Sequence, residues 1–170
     1  MPEKETLERA REDARKGNSA STQAGEFVRE EMHHIREGKH GARSAKQAIA
    51  VGLSKARRAG VKLAPPPKAK APARIRAQAQ REVSKGQGVS RKKPSSTRSR
   101  GIRQALRREG HQAASPEALG LQARRSARAR GPAGRRQAAL KAVRTKGHKG
   151  LQSAARKAAR TRAARLSKQP

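Results

Sequence analysis

Positive charge constrains this chain more than any other feature. Of its 44 Lys and Arg residues, thirty fall in residues 64–170 against three acids, a net of +27. Residues 1–37 are nearly balanced, with nine acids and seven Lys or Arg, and residues 38–63 hold seven basic residues and no acid. Like charge at that density repels itself and opposes compaction. Little apolar surface is available to oppose it. Only 32% of the 170 residues are hydrophobic, many of those are alanine, and there is one Phe with no Trp or Tyr. Alanine buries far less area than Leu or Phe, so a large core is not expected. The sequence reads as mostly α: a small N-terminal helical hairpin followed by a largely disordered basic tail with short helices. Four segments follow: a charged N-terminal segment at 1–20, the hairpin at 21–63, a Pro/Ser/basic linker at 64–100, and an Ala/Arg/Lys-rich nucleic-acid-binding tail at 101–170.

The head carries the helical signals. Residues 3–16 suit a short charged helix with Glu5 and Arg9 at i,i+4 and Leu7 as its only large apolar anchor, too little for an isolated helix. A second helix is expected over about 23–37, with Thr22 as N-cap and Gly38 as its left-handed stop. Val28, Met32 and Ile35 form its apolar stripe with Phe27 beside it, while Glu26, Arg29, Glu30 and Glu37 are expected to face water. The stretch KHGARSAKQAIAVGLSKARRAGV, residues 39–61, supplies the third element. Ser44 followed by Gln47 matches a capping box. Ala45, Ala48, Ile49, Gly52, Leu53 and Ala56 line one face at helical spacing. Gly60 should stop the helix, with Val61 folding back onto Ala56. The small residues Ala48, Gly52 and Ala56 let the preceding helix come close. The expected hairpin core is Phe27, Val28, Met32, Ile35, Ile49, Val51, Leu53 and Val61. A core this thin invites a homodimer through the head, or a partner.

Beyond the head, APPPKAKAPAR at 64–74 is a stiff extended spacer. Residues 75–83 suit a brief helix, and KGQGVSRKKPSSTRSRG interrupts structure again. Three Gly-led, Ala/Arg-rich runs follow, Gly101–His111, Gly134–His148 and Gly150–Leu166, at an irregular spacing that does not make a solenoid. Ser115-Pro116-Glu117 is a helix start with Pro at the first helical position. Ala and Arg favour helix, and closely spaced cations oppose it, so these runs are expected to order on a polyanion.

Several functions are disfavoured. Without Cys there is neither a disulfide nor a thiolate metal site. The longest apolar run falls far short of the ~20 residues that span a bilayer, and the start MPEKETLERARED is too charged for a signal peptide. The chain has no GxSxG, no phosphate loop and no carboxylate pair in an apolar setting, so no catalytic residue and no enzyme is expected. His33, His34 and His40 lack zinc-site spacing and read as wet histidines beside acids, so no metal and no cofactor is assigned.

What remains is a polyanion partner. Releasing counterions from phosphate gives affinity without reading sequence. In the head, Lys46, Lys55, Arg57 and Arg58 are the expected phosphate contacts. The linker offers Arg91, Lys92, Lys93, Arg98 and Arg100. The tail offers Arg103, Arg107, Arg108, Arg124, Arg125, Arg128, Arg130, Arg135, Arg136, Lys141, Arg144, Lys146, Lys149, Arg156, Lys157, Arg160, Arg162 and Arg165. The tail has no aromatic platform for stacking bases, which points to duplex backbone binding or to structured RNA held electrostatically, with DNA the favoured partner. It also has no large apolar anchors for a membrane surface, and no small-molecule substrate is implied. The expected role is a non-enzymatic nucleoid-associated protein of the cytoplasm. The alternatives are an RNA- or ribosome-associated basic protein, or a plasmid-maintenance regulator acting through the head.

Two resemblances bear on this reading. The Lys/Ala/Arg-rich composition of roughly residues 90–170 resembles linker-histone-like C-terminal tails, which implies DNA neutralisation and condensation. Residues 21–61 resemble a small bacterial basic-protein family whose members are often labelled DNA-binding or plasmid-stabilisation proteins. That likeness rests on Lys39-His40-Gly41, Ser44, Lys46-Gln47-Ala48-Ile49-Ala50 and Leu53-Ser54, and it implies no catalytic residue.

Overall fold

The computed structural model describes residues 2–88 and 95–167, with backbone alone at 165 and 166. Among them are α1 (Lys4–Arg15), α2 (Ala20–Arg36), α3 (Ala45–Arg58), α4 (Ala73–Gly86), α5 (Ser96–Arg108), α6 (Pro116–Ala129) and α7 (Gly131–Leu166), with short 3₁₀ turns at Lys68–Lys70 and Gln112–Ala114. The chain divides into two compact units, Met1–Gln122 and Ala123–Pro170.

In the first unit the helix boundaries follow from local chemistry. Ser19 caps α2, its Oγ accepting from the Thr22 amide at 3.4 Å, so the helix begins three residues before the expected Thr22 start. Ser44 caps α3 by accepting from the Gln47 amide at 3.2 Å. The Gln47 side chain returns to the Arg43 amide at 2.9 Å, one residue before the position a capping box uses. At the end of α3 the Val61 amide donates to Ala56 and the Gly60 amide to Arg57, each at 3.1 Å, which completes a Schellman stop. The end of α2 repeats this, with Lys39 donating to His34 and Gly38 to Ile35.

Helices α2 and α3 form the expected hairpin. They cross where a Cβ on Gly52 would stand 2.7 Å from the Val28 Cα, so only glycine fits there without moving the backbone. Two small apolar clusters hold the unit together. One gathers Phe27, Ala10, Ala24, Ala56 and Val61, with Leu7, Leu53 and Leu63 at its margin. The other gathers Met32, Ile35, Ala42 and Ala48, with Val28 and Ile49 beside them. The expected hairpin core is thus present apart from Val51, which is half-buried and joins neither cluster. Helix α1 adds Leu7 and Ala10, and its Arg9 pairs with Glu26 at 2.7 Å.

The expectation of a largely disordered basic tail fails. Helices α4 to α7 occupy most of the described chain beyond residue 72. The physical reason is that this region consists of long runs rich in Ala, Arg and Lys, which favour helix, strongly enough to carry Gly101, Gly120, Gly134 and Gly150 inside helices. Nor does the head end at residue 63. Ala113 and Ala114 are buried in the Met32–Ile35 cluster, with Leu119 packed against it, and the Arg36 Nε donates to the Ala114 carbonyl at 3.0 Å. Helix α4 packs on α3 through Ala79 and Glu82, both buried. The alanines thus substitute for large apolar residues by allowing close approach.

The second unit is helical. The end of α6 and the whole of α7 lie in it, and α7 is two helical runs meeting at Gly147, whose φ of 64° and ψ of 176° are outside helical values. Ser115, in the first unit, starts α6 as expected, its Oγ accepting from the Ala118 amide at 3.1 Å, with Pro116 as the first helical residue. No helix among the described residues is long and apolar enough to cross a membrane.

Candidate functional site

The basic residues divide into two kinds. Arg98, Arg100, Arg103, Arg107 and Arg108 are exposed along α5. In the second unit Arg124, Arg125, Arg128, Arg130, Arg135, Arg136, Lys141, Arg144, Lys146, Lys149, Arg156, Lys157, Arg160 and Arg162 are exposed as well. From Ala123 to Pro170 the sequence contains sixteen Lys or Arg and no acid, so this unit contains no carboxylate side chain to neutralise them. At 3.6 residues per turn, Arg156, Lys157, Arg160 and Arg162 are spread around their helix rather than aligned on one face. Arg91, Lys92, Lys93 and the Arg165 side chain lie outside the described residues.

In the head, Lys46 and Arg58 are exposed, as expected for phosphate contacts. Lys55 and Arg57 are not available in the same way. Arg57 is 9% exposed; it lies 3.6 Å from Glu82 and donates from Nε to the Leu63 carbonyl at 3.3 Å. Glu82 is held further by the Ser54 hydroxyl and by the Gln78 amide at 3.0 Å. Lys55 turns onto two buried carboxylates, 2.5 Å from Glu31 Oε2 and 3.6 Å from Glu30 Oε1. A cation committed to a buried acid cannot also neutralise phosphate without leaving that acid bare.

Those carboxylates form a charge cluster that sequence reading missed. Glu30 and Glu31 are adjacent on α2 and almost fully buried, whereas Glu30 was expected to face water. His40 comes back from the α2–α3 connection to place Nε2 3.2 Å from Glu31 Oε1. His34, one turn along α2, places Nδ1 3.9 Å from Glu30 Oε1 and Nε2 2.8 Å from Glu3 Oε1. The Glu3 amide donates to Glu30 Oε2 at 3.2 Å. Lys39 lies 3.2 Å from Glu3 and 3.1 Å from Glu37. The hydrogen bond from His34, then that from Lys39, holds the Glu3 carboxyl below its usual range. His33 is exposed and apart from this group. The i,i+4 spacing of Glu30 and His34 was visible in the sequence; the return of His40 through a loop was not.

No curated protein and no solved structure matches the chain. Residues 15–69, which span α2, α3 and the end of α1, match the sequence model of a family of unknown function, DUF6496.

Proposed function

We propose that this protein binds nucleic acid through the exposed Lys and Arg of α5, α6 and α7, with duplex DNA as the favoured partner and little sequence preference. The observation that carries the reading is the acid-free second unit, with sixteen Lys or Arg in 48 residues and no Asp or Glu among them. Cations spread around a helix suit contact with phosphates on more than one side, as in bridging or bundling of duplexes. The first unit acts as a folded platform whose contribution to the polyanion surface comes from Lys46, Arg58 and the α5 arginines. The role is architectural rather than catalytic, and its place is the nucleoid.

The test is a salt-titrated binding series with the full chain on unrelated duplexes and on a structured RNA. Similar DNA affinities with a steep fall in log K against log salt support the reading, since each neutralised phosphate contributes about 0.9 to the slope on B-DNA. A salt-resistant preference for one duplex, or a preference for the RNA at matched salt, overturns it.

A further inference from the structure

We propose that Glu31, His34 and His40 form a binding site for a single divalent cation of the zinc type, a function separate from the nucleic-acid reading. One ligand atom from each of these residues lies within 4.8 Å of the other two. Two imidazoles and one carboxylate, with a position left open, are a donor set suited to zinc.

The hydrogen bonds around the two rings supply the stronger argument. His40 Nδ1 sits 3.1 Å from the Gly41 carbonyl, which can only accept, so this nitrogen carries the proton. In the neutral ring Nε2 is then a bare lone pair, and it faces Glu31 Oε1 at 3.2 Å. His34 repeats the pattern. Its Nε2 donates to Glu3 Oε1 at 2.8 Å, which leaves Nδ1 turned toward Glu30 Oε1. That oxygen is buried and has no hydrogen-bond partner. In both rings one nitrogen is fixed by an outside acceptor while the other points at a buried carboxylate. Metal-binding histidines are oriented in this way, by a carboxylate or a carbonyl on the far nitrogen. Between a neutral imidazole and a carboxylate, two facing acceptors are reconciled by a cation placed between them.

The charges give the same count. Glu3, Glu30, Glu31 and Glu37 carry four negative charges, and Lys39 and Lys55 supply two positive ones. With neutral histidines the cluster lacks two positive charges, which one divalent ion supplies. Lys55 occupies Glu31 Oε2 and leaves Oε1 for the metal.

The experiment adds Zn²⁺ to nucleic-acid-free full-length protein, followed by calorimetry and by ¹⁵N resonances of the histidine rings. The expected result is one saturable Zn²⁺ per chain, with the His34 and His40 signals moving while those of His33, His111 and His148 stay in place. His40→Gln should abolish this uptake and His33→Ala should retain it. Glu3→Gln, which removes the acceptor behind His34, should weaken it by about 10–100-fold. No saturable uptake by the wild-type chain overturns the proposal, as does uptake that moves His33, His111 or His148 instead. Because the ring signals are read on the unaltered protein, the result stands even if a variant fails to fold. Two protonated imidazoles in place of the ion would give the first of these negative outcomes.

Discussion

Gly41 lies directly against the backbone of Glu109. A Cβ on Gly41 would stand 1.9 Å from the Glu109 carbonyl oxygen and 2.7 Å from that of Gly110. The Gly41 amide donates to the Leu106 carbonyl at 2.8 Å and the Ala42 amide to Gly110 at 3.1 Å. The loop between α2 and α3 is therefore the seat for the segment that carries Ala113 and Ala114 into the core. Gly41→Ala should force this backbone contact apart and destabilise the first unit by about 1–3 kcal/mol, the usual range for overpacking. Urea unfolding followed by circular dichroism checks this. A wild-type midpoint would mean that residues 106–114 do not sit on the loop.

Arg57 and Arg58 are neighbours in sequence with opposite duties. Arg57 is enclosed with Glu82, whereas Arg58 is exposed. Removing one partner of a buried pair leaves the other charge uncompensated, at about 3–5 kcal/mol. Arg57→Gln and Glu82→Ala should each produce a loss of that order. The double variant Arg57→Met, Glu82→Leu should recover much of it, because apolar side chains of similar size need no counter-charge. Arg58→Gln should leave stability within about 0.5 kcal/mol, as surface substitutions do, and lower the salt slope of DNA binding. Denaturation and binding measured on the same four variants separate the roles. Equal stability for Arg57→Gln and Arg58→Gln would contradict the assignment.

The exposed cations of α7 make the binding prediction quantitative. Replacing Arg156, Lys157, Arg160 and Arg162 with Gln removes four charges from one helical run without touching either apolar cluster. If all four meet phosphate, the slope of log K against log salt should flatten by about 3 to 4, at about 0.9 for each contact. The loss should be the same on unrelated duplexes, because phosphate contacts specify no base. An unchanged slope would assign DNA contact elsewhere on the chain.

The sequence was most legible where a local rule determines the structure. Ser44 with Gln47, Gly60 with Val61, and Pro116 after Ser115 each mark a helix boundary through bonds made within a few residues, and the structure uses all of them. The close crossing at Gly52 was visible because small residues recur at helical spacing. Three features were hidden for a common reason. Glu30, Lys55 and Arg57 look like ordinary surface charges, and only the tertiary partner distinguishes a solvated charge from an enclosed one. Ala113 and Ala114 gave no signal because alanine is equally common in exposed helices. The persistence of helix beyond residue 72 was misjudged because the repulsion between cations was weighted above their helix propensity.

Lys55 decides whether the buried carboxylates of α2 are tolerable without a metal. It is the nearest Lys or Arg to both Glu30 and Glu31, and those two side chains are each 1% exposed. With a chelator present, Lys55→Met should destabilise the first unit by about 3–5 kcal/mol, because two adjacent buried carboxylates then keep only the histidines and the Glu3 amide as partners. Adding Glu31→Gln to that variant removes one of the negative charges and should restore part of the loss. The difference between the double variant and the sum of the two single variants measures the coupling, expected at about 2 kcal/mol, as for other residues in contact. Additive effects would show that Lys55 does not stabilise Glu31, and would return Lys55 to the set of cations free to meet phosphate.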